Sequence, residues 1–502
     1  SMPASIEPRS TRNQAPSYEL SGRDRSIIFI LLIATFAVIL NETIMNVALP
    51  TLMMELGIGA NTVQWLSTAF LLTMAVVIPM TGFILQRYST RTVFMTAMGL
   101  FSLGTLIAGS APGFPVLLAG RIVQATGTAM MLPLLMTTIL ALVPPARRGG
   151  VMGTVSIVIS VAPAIGPTVS GLILQALPWR FMFLFVLPVA LLVLAFGAWR
   201  LVNVGETRRS SIDILSVALS ALGFGGFVYG VSRAGEGPGA WSHPEVVTAV
   251  VVGGISLALF VWRQLALQRK NRPLLDLRAF RYPMFSLSVA LIMIAMTALF
   301  GAAILLPIYL QNVRGFGSLP TGLLLLPGGV LMGVMAPLVG RLFDRHGPVV
   351  LTSTGAALIA LTLWRFSTLT ATTSVGLLLV LHLIFSLGLS LLFTPVMASG
   401  LNPLPRRLHS HGSALMSTLQ QVAGAVGMAL LITVMTTRTA AHLQREAPPQ
   451  VAQAAGLQAA FAVAAAFALV ALVLALFLRS TTPSEEDEIL PVDTNLPAIS
   501  AD

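Results

Sequence analysis

Leu40-Asn41-Glu42-Thr43 sets a carboxylate just beyond the uncharged apolar run from Ile27 to Leu40. A charge in such a place is costly unless it is neutralised, paired or reached by water. The matching cation is Arg121, inside the apolar stretch 115–142. If residues 27–48 and 115–142 form antiparallel helices, Glu42 lies about 10 Å and Arg121 about 9 Å below one face of the membrane. Desolvation and a neighbouring cation act in opposite directions on a carboxyl's hold on its proton. A group balanced between them can load a proton in one state of a molecule and release it in another. The plainer alternative is a static Glu–Arg brace between two helices.

The composition fixes the solvent of these residues. Of 502 residues, 56% are hydrophobic and 9% charged, too little charge to cover a soluble surface. Apolar runs long enough to cross a bilayer recur along the chain. They predict spans at about 27–48, 62–84, 92–110, 115–142, 151–176, 181–200, 212–231, 245–266, 285–310, 320–339, 349–369, 373–397, 413–436 and 456–478, fourteen in all. The net charge of +11 is not a nucleic-acid footprint, because the arginines lie in short clusters between apolar runs. Clusters such as Arg147-Arg148, Arg208-Arg209 and Arg406-Arg407 fall on alternate loops, which by the positive-inside rule places both termini in the cytoplasm. The chain has no cysteine, which excludes disulfides, thiolate metal sites and cysteine nucleophiles. No metal-ligand cluster, nucleophile–base pair or phosphate loop is evident, so an enzyme is not expected. Ser1-Met2 reads as an appended start, and no cleavable signal peptide is expected.

A short motif repeats. Gly82-Phe-Ile-Leu-Gln86-Arg87-Tyr-Ser89-Thr-Arg91 follows the second span, and Gly340-Arg341-Leu-Phe-Asp344-Arg345-His-Gly follows the tenth. If the loop marks the second span of each of two six-span halves, the second half begins at the ninth span and spans seven and eight are inserted. The expected organisation is therefore a tail at 1–26, a six-helix bundle at 27–202, inserted helices and loops at 203–283, a second six-helix bundle at 284–479, and an acidic tail at 480–502. Both tails read as disordered. Internally repeated carriers bind their cargo between the halves.

These residues point to a family. The chain from about Ile27 to Arg479 resembles the major facilitator superfamily, in its fourteen-span drug:proton antiporter branch. The resemblance rests on the intact loop motif at Gly340 and its degraded copy at Gly82, with Gln86 where an acid is usual. It rests also on Arg121-Ile-Val-Gln-Ala125-Thr-Gly127, Ala162-Pro-Ala-Ile-Gly166-Pro167-Thr-Val-Ser-Gly171 and Leu306-Pro-Ile-Tyr309-Leu-Gln311. Leu40-Asn41-Glu42-Thr43 departs from the branch pattern by shifting its acid one residue, about 100° around a helix, and is most like the lincomycin-efflux type. The resemblance implies an all-α major facilitator fold of 6 + 2 + 6 helices in a bacterial cytoplasmic membrane. It implies that Glu42 and Arg121 face each other, and that Arg87, Arg91, Arg341, Asp344 and Arg345 brace the cytoplasmic gate.

Glu42 is the only carboxylate well inside an expected span. Asp213 sits at the edge of the seventh, and Glu55, Asp276 and Asp344 are assigned to loops. Asn41 and Asn46 flank Glu42, and Gln124 lies near Arg121. These amides and Gln420 either bridge helices or line a cavity. Met131, as an adaptable thioether, is a further pocket candidate. Tyr309 and Gln311 suit an interface, and His382 is a second, weaker site for a proton. Gly166, Pro167 and Gly171 read as close packing with a bend. The reading is a proton-coupled exporter of amphiphilic neutral or monocationic molecules, working by alternating access as a monomer among membrane lipids. It has no cofactor beyond the proton as coupling ion, and no nucleic-acid partner. The rivals are an exporter or flippase of one lipid or metabolite, a membrane enzyme, and a non-transporting sensor.

Overall fold

The computed structural model describes residues 20–483 except 206, 236 and 238, with the backbone alone described at 46, 47, 50, 60, 61 and 318. Among the described residues, fourteen helices are long and apolar enough to cross a bilayer, as the hydropathy predicts. They are α1 (Gly22–Leu56), α2 (Trp65–Arg87), α3 (Thr90–Gly109), α4 (Phe114–Leu142), α5 (Arg148–Ala176), α6 (Phe181–Arg200) and α7 (Ile214–Ala234). The remainder are α8 (Pro244–Gln268), α9 (Pro283–Val313), α10 (Ser318–His346), α11 (Val349–Phe366), α12 (Val375–Leu401), α13 (His409–Gln444) and α14 (Pro449–Ala475). No strand occurs among the described residues. In hydrocarbon a helix satisfies its own backbone, so uniformly apolar segments of this length have no better conformation. An even number of crossings returns the chain to the side where it began. That side is called the terminal face here, and the other the distal face.

Helix ends follow capping chemistry more than hydropathy. α1 begins at Gly22, inside the segment expected to be tail, because the Ser21 hydroxyl accepts from the Asp24 amide at 3.2 Å. It continues to Leu56, where Gly57 adopts φ 63° and closes the helix with a left-handed cap. Glu55 is therefore helical, and so is Asp344 in the last turn of α10; both were expected in loops. Most of the two tails lies outside the described residues.

Helices α1–α6 pack among themselves, as do α9–α14, and the two bundles meet chiefly along α5–α10 and α2–α13, with α12 also against α5 and α13 against α4. Along α5–α10 the backbones nearly touch. A Cβ on Gly340 would lie 2.2 Å from the Gly149 carbonyl oxygen, and one on Gly153 2.5 Å from that of Ala336. Asp344 closes this seam at the terminal face, its two oxygens accepting from the amides of Gly149 at 3.0 Å and Gly150 at 2.9 Å. Those amides open α5, whose first turn offers unpaired donors and the positive end of the helix dipole. On the α2–α13 side Gln86 takes the crossing role, donating to the Arg407 carbonyl at 2.8 Å.

Among the described residues, the expected gate arginines make no hydrogen bond across either seam. Arg87 lies over the ring of its neighbour Tyr88 at 5.2 Å. Arg91 donates to the Leu201 carbonyl at 3.1 Å, within the first bundle. Arg341 and Arg345 are exposed. At both seams the crossing bond belongs to the residue beside an arginine, Asp344 beside Arg345 and Gln86 beside Arg87.

The inserted pair touches both bundles. From α7, Tyr229 stacks on Trp65 of α2 with centroids 6.0 Å apart. The Trp241 indole of the α7–α8 loop donates to Thr433 of α13 at 2.7 Å. Asp213 caps α7 and accepts two bonds from Arg263 of α8, at 3.0 and 3.2 Å. Arg263's hydrogen bonds, with help from Ser216, hold the Asp213 carboxyl below the usual carboxylate range although burial works against this. Asp213 is thus a tied anion and a poor carrier of protons.

Two outcomes are expected. Gly340→Val should force α10 off α5, and spin labels on cysteines placed at positions 147 and 345 should report a longer distance than in the parent chain. Because its native pKa is depressed, Asp213 contributes stability that is complete above the ordinary aspartate value and disappears as pH falls through the lower native one. Melting curves taken between about pH 5 and pH 2 should therefore show a shallower acid-side loss in Asp213→Asn than in the native protein.

Candidate functional site

Among the described residues Arg121 is the largest fully buried side chain, with 1% of its surface exposed. Three helices fix it. The guanidinium carbon of this α4 residue sits 4.0 Å from the ring centroid of Phe70 on α2. Its Nη1 donates to Gln124 Oε1 at 3.0 Å, one turn along α4. Gln124 Nε2 in turn donates to Thr105 Oγ1 of α3 at 2.9 Å. This chain exists because α3 and α4 approach at backbone distance: a Cβ on Gly104 would lie 2.4 Å from the Gln124 amide nitrogen. Arg121 Nε has no partner among the described residues.

Glu42 sits on α1, half-buried. It interacts electrostatically with Arg121. Among the described residues its carboxylate makes no ion pair or hydrogen bond, so the direct brace considered from sequence is not formed. The cation's bonds go to Gln124 and its face to Phe70, and its positive field remains. Residues on either side of Glu42 anchor α1. Asn41 is buried with Oδ1 unpartnered. Thr43 Oγ1 donates to the Leu40 carbonyl at 2.9 Å, and α5 crosses so close that a Cβ on Gly166 would meet Thr43 Oγ1 at 2.2 Å. One step of about 100° thus turns Thr43 to α5 and Asn41 into the packed interior, leaving Glu42 with its oxygens uncommitted.

The other candidates are scattered. The Asn46 side chain lies outside the described residues. Gln124 is wholly engaged with Arg121 and Thr105, and Met131 is sealed in the core. Neither is placed to line an open pocket. Tyr309 is fully buried at the distal end of α9, donating to the Thr370 carbonyl at 2.5 Å and accepting from Arg314 at 3.1 Å; it braces helices rather than sitting at an interface. Gln311, two residues on, is exposed. His382 belongs to the α10–α12 contact, where a Cβ on Gly328 would lie 2.4 Å from its ring, and its Nδ1 has no partner. Gln420 of α13 is buried with Nε2 unpartnered. In α5 the close approach is at Gly166, Pro167 is exposed, and a Cβ on Gly171 would meet nothing within 4 Å. Close packing therefore holds for Gly166 and not for Gly171, which the helix turns toward open space.

Sequence reasoning passed over Thr105 and His411. The first carries no charge to attract notice. His411 stands on the α2–α13 seam, where a Cβ on Gly82 would lie 2.6 Å from Nδ1, and that nitrogen accepts from the Asp276 amide at 3.0 Å. A carboxylate with free oxygens, in the field of a cation whose one hydrogen bond goes to Gln124, can exchange a proton without breaking that bond. It lies in one of two bundles joined along two seams, an arrangement suited to moving a solute and not to catalysis.

Comparison with known proteins agrees. Residues 31–428 match the family model described as the Major Facilitator Superfamily. The lincomycin resistance protein LmrB of Bacillus subtilis is 44% identical over 459 residues, covering 90% of this chain and 95% of that protein. The multidrug resistance protein Stp of Mycobacterium tuberculosis is 29% identical over 422 residues, covering 83% of this chain and 77% of its own length. The crystal structure of the human organic anion transporter MFSD10 superposes with a TM-score of 0.64 at 14% identity, covering 90% of this chain and 99% of that one; it shows the fold alone. The chain is a multi-pass membrane transporter and belongs to the major facilitator superfamily.

Proposed function

We propose that this transporter exports amphiphilic, drug-like molecules, neutral or monocationic, in exchange for protons, with Glu42 as the group that carries the proton. The arginine-rich loops support a terminal face in the cytoplasm of a bacterial cell. The observation that carries the reading is the uncommitted Glu42 carboxylate in the field of a buried Arg121 whose own bonds go to Gln124. The likeness to LmrB over nearly the full length of both chains, together with that to the multidrug resistance protein Stp, supports drugs as the cargo.

A proton arriving from the distal side neutralises Glu42, which removes the attraction between α1 and α4 and lowers the cost of closing apolar helices around the site. Opening to the terminal side readmits water and lets the proton leave. A bound cation or polar amphiphile competes for the same oxygens, so proton and cargo alternate. The alternation needs rocking at the α5–α10 and α2–α13 seams, where Asp344 ties to α5 and Gln86 to Arg407 at the terminal face, and at the Ser156–Thr394 hydrogen bond between α5 and α12. With one titrating carboxylate, export of a monocation is electroneutral. Export of a neutral molecule is driven by the membrane voltage, worth roughly 2.3 kcal/mol per charge per 100 mV.

In proteoliposomes with an imposed pH gradient, Glu42→Gln should reduce gradient-driven drug movement to the level of protein-free liposomes while the variant still binds drug. Retained coupling in that variant would contradict the proposal. Phe70→Leu should loosen Arg121 by about 1 kcal/mol, lowering both melting temperature and transport rate without abolishing coupling; full native rates would show that the ring contact is idle.

A further inference from the structure

The second bundle holds a cavity of about 670 Å³ at its distal edge, between α13 and α14 and beside the end of α11. No residue of the first bundle lines it, so it lies away from the seams on which transport depends. Its polar wall is cationic. Arg438 and His442 stand one turn apart on α13, with His442 Nδ1 3.1 Å from the Arg438 carbonyl oxygen. No carboxylate lines the space, and the Arg438 guanidinium has no hydrogen bond or ion pair among the described residues. Gln458 fixes the opposite wall, its Nε2 donating to the Leu369 carbonyl at 2.6 Å.

The chemistry changes with depth. Arg438 lies about 9 Å from the distal end of α13, and Ala455 about 9 Å from that of α14, counting residues along each helix. From that depth Ala455, Ala459 and Ala462 form a stripe on α14 reaching about 10 Å toward the midplane, with Val434 of α13 beside it; the polar donors at this depth are committed, Thr433 Oγ1 to the Ala429 carbonyl and Gln458 Nε2 to that of Leu369. An arginine above a narrow apolar trough matches a molecule with an anionic head and a hydrocarbon tail, since guanidinium is the side chain best shaped for a phosphate. A soluble anion would leave the trough empty, and a neutral lipid would leave Arg438 unpaired.

We propose that this cavity binds one anionic phospholipid of the distal leaflet, with Arg438 on the phosphate and an acyl chain along Ala455, Ala459 and Ala462. The site is independent of Glu42 and of the cargo. The full-length protein in detergent micelles doped with equal phosphatidylglycerol and phosphatidylcholine of the same chains should retain phosphatidylglycerol in native mass spectra, with a preference of about tenfold. Arg438→Gln should erase that preference, and Ala459→Phe, which keeps the charge and fills the trough, should lower retention of the lipid itself. Soluble glycerol phosphate should not displace the bound lipid. Equal retention of the two lipids by the native protein, an unchanged preference in Arg438→Gln, or displacement by glycerol phosphate would overturn the proposal. If Arg438→Gln does not fold, undiminished retention by Ala459→Phe overturns it alone.

Discussion

The structure turns on a division of labour around one buried cation. Arg121 is held by a ring beneath it and an amide beside it, and the nearest acid is not among its bonded partners. A buried cation usually needs its counter-ion in contact, because desolvation is otherwise uncompensated. Here the Phe70 face and the Gln124 oxygen meet part of that demand, and the field of Glu42 supplies more without a bond. An acid bonded to Arg121 could not lose or gain a proton without breaking the support of the guanidinium. An acid merely near it can.

That arrangement requires backbones at close range, and small residues provide it. Gly104 lets α3 reach α4, so that Thr105 can hold Gln124, and Gly166 lets α5 pass the Thr43 hydroxyl. The same device joins the bundles at Gly149 and Gly340. Without a hydrophobic drive between helices in lipid, close van der Waals contact is what makes such packing stable. A few polar ties at one face then fix which end is shut. Asp344 on the α5 amides is the strongest of these by kind, a full charge at a helix N-terminus.

The fold was largely legible from the sequence because apolar runs of span length have so few alternatives. The acid and the cation of the site were legible too, by type and by depth. Their bonding was not. Helices that are apolar all round carry almost no rotational signal, so nothing in the sequence says that Arg121 turns to Phe70 and Gln124 or that Tyr309 reaches the Thr370 carbonyl. The degraded loop motif misled in a similar way. Arg87 and Arg91 matched the pattern by name, yet the crossing contact belongs to Gln86, because one residue along a helix is a different face. Helix ends were misjudged where a cap outran the hydrophobic stretch, as at Ser21 and Gly57.

The central claim is that cargo and proton contend for the Glu42 carboxylate. It is tested most directly by adding a transported drug to the purified protein in weakly buffered detergent solution and following a pH indicator. Release of a proton on drug binding by the native protein, and none by Glu42→Gln, is the result this account predicts. Binding without release, or the same release from the variant, would contradict it.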